Sequence, residues 1–478
     1  MDLLNALKIE NNLKVNTKGG LYNETSFDAN LDFFAGLSRN NTANQIKEKF
    51  NKAVEENNEL ALANLLYVLD IREGKGERRI FHKCFVSLCN TNKELALKVL
   101  YHIPKLGRYD YITYGLYTLI NDEVVDLIKD QLNKDMNTDN PSLLAKWLPS
   151  LRTHNKSNKQ AKYLVRQLGI SEKEYRLMLS SLRNKINIVE KNITNKTFDN
   201  IKFDEVPSKA MLKYKNFFNG NLTEAYNEYL ASLVKKEKKV NTTGLFCYEI
   251  INNVYKNNFK EDILIDQMWQ QQKDVLKGIN KNILVVADTS GSMTCCNNIP
   301  MSTSIGLALY TATHNTGIFK DYFISFSSRP KLQKVKGKTI TEMVKNVEEI
   351  VDNTDIDKVF QLLLNTALKH NLTNDDMPSH ILIVSDMEFD YGVYSQDGTN
   401  FVGWRKAFEA KGYKLPTIIF WNVACYTGGL PATKLDNDVV MVSGFSTNIL
   451  ENIFTLDKYN PTHCMLSTLD KYLKLLKA

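Results

Sequence analysis

Residues 283–292 read Ile-Leu-Val-Val-Ala-Asp-Thr-Ser-Gly-Ser. The apolar run 283–287 has the length and composition of a buried parallel strand. It stops at Asp288, and Ser290 and Ser292 follow on a turn eased by Gly291. Three small oxygen-bearing side chains at alternate positions, just past a strand end, can converge on one hard cation. Oxygen donors suit Mg²⁺ first, with Ca²⁺ and Mn²⁺ as alternatives. The open end of a parallel sheet is also where α/β folds place their ligands.

The grammar around this stretch is that of an α/β unit. Further strands are expected at 322–327, 381–385, 417–422 and 439–442, with a short edge strand at 331–335. Helices are expected at 299–314, 340–351, 357–370 and 404–411. Such alternation predicts a doubly wound, mostly parallel sheet. From about Leu31 to Lys277 the pattern is instead helical, in many short amphipathic segments without a strict period. The expected fold class is therefore α + α/β, a HEAT-like α-solenoid followed by the sheet. Expected boundaries are an N-terminal arm at 1–25, a helical-repeat domain at 26–278, the sheet domain at 279–456 and a closing amphipathic helix at 457–478.

Composition excludes several classes. The chain has 478 residues, 43% hydrophobic and 24% charged, which suits two or three globular domains. No stretch approaches the ~20 apolar residues of a membrane span, so no membrane partner is expected. The N-terminus lacks the basic and apolar regions of a secretory signal. Seven cysteines without a Cys-x-x-Cys spacing suggest reduced thiols and a cytoplasmic setting. The seven histidines have no metal-ligand spacing, so no enzyme, and no small-molecule substrate, is expected.

Charge is unevenly spread. Residues 151–250 hold 19 Lys or Arg against 10 Asp or Glu, whereas 351–400 hold 2 against 9. A clustered basic surface is the footprint of a polyanion site, and a solvated helix face is the equal alternative. Candidate nucleic-acid contacts are Arg152, Lys156, Lys159, Lys162, Arg166, Arg176, Arg183 and Lys185, with Tyr163 and Tyr175 as stacking candidates. Around Gly74, Lys75, Arg78 and Arg79 are candidate phosphate contacts. Salt bridges to Asp70, Glu73 and Glu77 are the competing reading there.

The pattern Asp288-x-Ser290-x-Ser292 resembles the metal-ion-dependent adhesion site of von Willebrand factor A (vWA) domains. Two later loops agree in order: Thr354 between two helical patterns, and Asp386 after the apolar run 380–385. The resemblance implies that Ser290, Ser292 and Thr354 touch the ion while Asp288 and Asp386 act largely through bound water. A Rossmann-like domain with unrelated acidic loops is the alternative. Further segments, among them 64–79, Leu106–Asp110, Lys146–Ser150, 385–389, 419–423 and 442–446, look like a TROVE-related family that joins a TROVE-like helical part to a vWA domain. That family is distantly related to the Ro autoantigen and has members in cells and in large viruses.

This resemblance implies a ribonucleoprotein component. Structured or single-stranded RNA would be held by a basic helical surface, and the cation site would bind a partner or help close a ring. The alternative from another class is an interaction or structural scaffold, virion-associated if the chain is viral. It would grip a partner's acidic side chain through the metal and have no use for RNA.

Overall fold

The computed structural model describes residues 3–16, 18–151, 156–186, 188–326, 329–348, 355–390, 399–425 and 427–477. The chain is α-rich and carries a six-stranded mixed sheet in its C-terminal part. It forms two compact units. One comprises 1–64, 73–75 and 245–478, and the other 65–72 and 76–244.

The first unit holds a hairpin of β1 (Leu13–Val15) and β2 (Leu21–Asn23), followed by the large sheet. Its strands are β3 (Ile283–Asp288), β4 (Tyr322–Phe326), β5 (Lys331–Lys334), β6 (His380–Ser385), β7 (Thr417–Asn422) and β8 (Val439–Ser443). Their order is β5-β4-β3-β6-β7-β8, parallel throughout except for the antiparallel edge strand β5. β3 and β6 are buried along their whole length, which explains their unbroken apolar runs. The chain leaves β3 for β4 on one side and returns to β6 on the other. Such a reversal makes the carboxyl ends of β3 and β6 the usual ligand position in sheets of this kind. Asp288 ends one of these strands, and Asp386 directly follows the other.

The strands agree with expectation to within a residue or two, but the boundaries do not. Helices Cys247–Lys256 and Ile263–Gln270 belong to the sheet unit, not to a helical domain ending at 278. Helix Cys247–Lys256 packs on the helix that follows β3, Cys295–His314. A Cβ at Gly306 would lie 2.9 Å from the Cβ of Cys247, so glycine permits this close approach. Ser302 Oγ donates to Asn252 Oδ1 across the same contact at 2.7 Å. Helical periodicity alone does not tell which neighbour a helix chooses.

The first 25 residues, expected as an arm, instead form a helix, Leu3–Asn12, and the β1–β2 hairpin. Asn16 builds the turn: its Oδ1 accepts from the N–H groups of Lys18 and Gly20, both at 2.9 Å. The hairpin docks on the sheet unit through isolated bridges, Gly19 to Asp390 and Asn23 to Leu430.

Among the described residues the second unit holds helices and no strand. Its longer members are Arg78–Thr91, Asn121–Met136, Lys156–Leu168, Glu172–Lys185, Ser208–Asn221 and Thr223–Val234. Ser171 caps the Glu172 helix through a reciprocal box with Glu174, as the Ser-x-x-Glu spacing indicates.

Candidate metal centre and basic surfaces

Asp288 and Asp386 sit on matching turns. Asp288 Oδ1 accepts from Ser290 N–H at 2.9 Å, and Asp386 Oδ1 accepts from Glu388 N–H at 3.0 Å. Each carboxylate thus closes an Asx-type turn two residues ahead, a local geometry suited to a strand end. Ser385 Oγ donates to Asp288 Oδ2 at 2.6 Å and accepts from Met387 N–H at 3.1 Å, tying the two loops together. Met387 takes φ 63°, a left-handed conformation costly for a residue with a Cβ. Ser290 Oγ and Ser292 Oγ lie 3.0 Å apart.

Both carboxylates are completely buried. Burial pushes the Asp288 carboxyl well above the usual carboxylate range, and the negative charge of Asp386 adds to the effect. Hydrogen bonds from Ser385 and Ser290 pull the other way. Asp386 Oδ2 is buried and has no hydrogen-bond partner. Among the described residues neither aspartate has a cationic side chain within ion-pair distance. Two buried carboxylates, one with a bare oxygen, beside two hydroxyls form a donor set that fits a hard divalent cation. Among the described residues no three His, Cys, Asp or Glu gather as a metal cluster. A site of two carboxylates completed by hydroxyls does not require such a cluster. Thr354, the fifth expected member, lies outside the described residues.

Two neighbours, Ser385 and Asn16, escape a reading of the sequence. Ser385 reads as the last residue of an apolar run, yet its hydroxyl joins the two loops. Glu388, buried, accepts from Thr427 Oγ1 at 2.9 Å, which makes it a structural carboxylate at the back of the site. Asn16 Nδ2 donates to Phe389 O at 2.8 Å, so the N-terminal hairpin buttresses the loop that carries Asp386. A Cβ at Gly20 would meet Phe389 O at 2.1 Å, so only glycine fits there. The Asn16-x-x-x-Gly20 turn is a visible signal, but nothing in it names its distant partner.

The basic candidates divide. Lys75 is not a phosphate contact: it is 1% exposed, and its Nζ donates to Phe34 O and to Ser443 Oγ, the latter at 2.8 Å. Arg78 is ion-paired to Asp110 at 3.1 Å and donates to Tyr114 OH. Its expected partners Asp70, Glu73 and Glu77 are not the ones found in that ion pair. Arg79 is exposed on the same helix. Arg183 is half-buried, with Nε on Ala145 O at 2.7 Å, Nη2 on Leu148 O at 3.0 Å and Nη1 on Ser150 Oγ at 3.0 Å. Lys185 Nζ donates to Thr138 O at 2.9 Å. Arg183 satisfies carbonyls that the end of helix Leu144–Trp147 leaves open, and Lys185 binds just past the end of helix Asn121–Met136.

Lys159, Lys162 and Arg166 are exposed at positions that share one helix face, and Arg176 is exposed on the next helix. Arg152 and the side chain of Lys156 lie outside the described residues. One stacking candidate is corrected: Tyr175 is fully buried with its hydroxyl on Pro149 O at 2.8 Å. Tyr163 is half-buried, donates to Asn121 Oδ1 at 2.9 Å and has its ring against Tyr117.

A two-unit chain, one unit helical and the other α/β with a carboxylate pair at its sheet's switch point, is the class that this fold defines. A family model described as a domain of unknown function (DUF7788) matches residues 282–465, and another so described (DUF2828) matches 153–292. The first takes in every strand of the large sheet. The uncharacterized protein L728 of Acanthamoeba polyphaga mimivirus is 30% identical over 510 residues, which cover 96% of this chain and 88% of that protein. The chain belongs to the family of that viral protein. No helix among the described residues is long and apolar enough to cross a membrane.

Proposed function

We propose that the sheet unit is a vWA-like module that binds a divalent cation, Mg²⁺ first, and uses it to grip an acidic group of a protein partner. The observation that carries this reading is the bare, buried Asp386 Oδ2 beside the buried carboxylate of Asp288. Ser290, Ser292, Asp288 and Asp386 would hold the ion, and Thr354 is the fifth proposed member. A bound cation supplies positive charge and an open coordination position for a partner's oxygen. The chain's own contribution is orientation: Ser385 aligns Asp288, the left-handed turn at Met387 aims Asp386, and the Asn16 hairpin steadies that loop. Calorimetric titration of the full chain with MgCl₂ tests the proposal. One site is expected, lost in Asp288→Ala and in Ser290→Ala. An unchanged heat in both variants overturns it.

A second reading, RNA binding by a TROVE-like helical unit, is favoured by the exposed row Lys159, Lys162 and Arg166. Strand affinity should fall steeply with salt, with the slope reduced in the triple Gln variant. No binding at low salt removes this reading and leaves the first untouched.

A further inference from the structure

We propose that a cavity between helices Glu172–Lys185 and Val189–Asn195 binds a phosphomonoester carried by a nucleotide, either a mononucleotide or the phosphorylated end of a strand. The inference deepens the second reading above and rests on it. The cavity measures about 450 Å³ and lies wholly within the helical unit, a volume in the range of small-ligand sites.

Three cations line it. Arg183 enters from the first helix with three of its nitrogens on Ala145 O, Leu148 O and Ser150 Oγ. These contacts hold the guanidinium in place at the cavity wall. Arg176 lies two turns earlier on the same helix and is exposed. Lys191, unremarked in the sequence, comes from the second helix, with its Nζ on Asn184 O at 2.7 Å. Glu190 also lines the cavity, and it is engaged by Lys146 at 3.5 Å. Ser180 adds a hydroxyl.

Charge selects the ligand. Arg176, Arg183 and Lys191 against Glu190 give the lining three positive side chains and one negative. A phosphomonoester carries about −1.5 to −2 at neutral pH, and a diester carries a single negative charge. The monoester is the better match. Arginine adds planar, forked donors suited to phosphate oxygens. The nucleotide is favoured over a phosphopeptide by the neighbouring helix. Lys156–Leu168 packs on Glu172–Lys185 and presents Lys159, Lys162 and Arg166 to solvent. That row extends the positive field along a path for a polyanionic chain.

The test uses the full chain and one short oligoribonucleotide, with and without a 5′-phosphate, at low salt. The phosphorylated strand is expected to bind about tenfold tighter, the equivalent of 1.4 kcal/mol. Inorganic phosphate and a nucleoside 5′-monophosphate should remove that advantage. Arg176→Gln and Lys191→Gln should each erase most of it and leave the unphosphorylated strand's affinity nearly intact, whereas Arg176→Lys and Lys191→Arg should retain it. Equal affinity for the two strands, with no phosphate competition, overturns the inference while RNA binding stands. If neither strand binds, RNA binding fails. A nucleoside 5′-monophosphate that binds and is sensitive to Arg176→Gln then still supports the cavity assignment, and one that does not bind overturns it. A phosphoserine peptide that binds more tightly than the phosphorylated strand overturns the nucleotide assignment.

Discussion

The carboxyl end of the sheet and the basic helical unit handle charge in opposite ways. At the sheet end, two carboxylates are buried beside each other and one oxygen has no partner. In the helical unit, cations that look alike in the sequence are anchored on main-chain oxygens, as with Arg183 and Lys185, or stand in solvent, as with Lys159 and Lys162. A buried charge left short of partners is costly and needs a reason to persist, whereas a solvated one needs none. The difference teaches that residue type is a weak guide to function and that the state of its hydrogen bonds is a strong one.

That comparison can be broken, and the largest effect comes from a cation buried in the sheet unit. Lys75→Met is expected to cost about 4 kcal/mol, because Phe34 O and Ser443 Oγ lose a charged donor in a site closed to water. A urea midpoint unchanged from wild type would show that burial does not set the cost of losing such a group. Next comes His380, at the opposite end of β6 from Asp386. Burial, and then Lys281, push its pKa down to about 4 from 6.5. The unfolded chain therefore binds the extra proton between those values, so stability is fully retained above pH 6.5 and falls as the pH drops toward 4. The loss is at most about 3 kcal/mol, and His380→Gln should flatten that segment of the pH profile.

Binding of Mg²⁺ sharpens the contrast at the sheet end. Saturation at about a hundred times the dissociation constant should add about 2.7 kcal/mol to unfolding stability. Asp386→Asn should abolish this gain and, in chelator, should melt above wild type because it removes one of two repelling carboxylates. A melt lower in chelator than wild type would indicate that the pair is stabilising without an ion. The smallest effects belong to the helical unit. Arg183→Ala should cost about 2 kcal/mol, through three lost hydrogen bonds and an unsatisfied helix end, whereas Lys185→Ala at the surface should cost under about 0.5 kcal/mol. Equal costs would mean that the two cations do the same work.

How much of the molecule is legible in its sequence follows the same division. The strand-to-turn stretch at 283–292 places the sheet and Asp288 because its signals are local: a buried run, a carboxylate and an Asx turn. Asp386 is legible for the same reason. Ser385, Asn16 and Lys75 are not, because their roles depend on partners 97, 373 and 368 positions away in sequence. The basic row at 159–166 is legible as a helix face, since i, i+3 and i+7 align regardless of context. The separate fate of Arg183 is not, since only the packed helix ends show which carbonyls are left open. The same limit hides the true home of helix Cys247–Lys256.

The sheet unit is built from three separated stretches of chain, with the whole helical unit lying between the first and the last. On the ribosome the β1–β2 hairpin emerges before the large sheet, and its docking sites at Phe389 and Leu430 are made hundreds of residues later. The helical unit, contiguous apart from three residues, can complete its local contacts during that wait. Slow synthesis or a bound chaperone would thus expose the unpaired hairpin and leave the helical unit unaffected. Any lesion that delays the last third of the chain should be felt first as aggregation through β1 and β2.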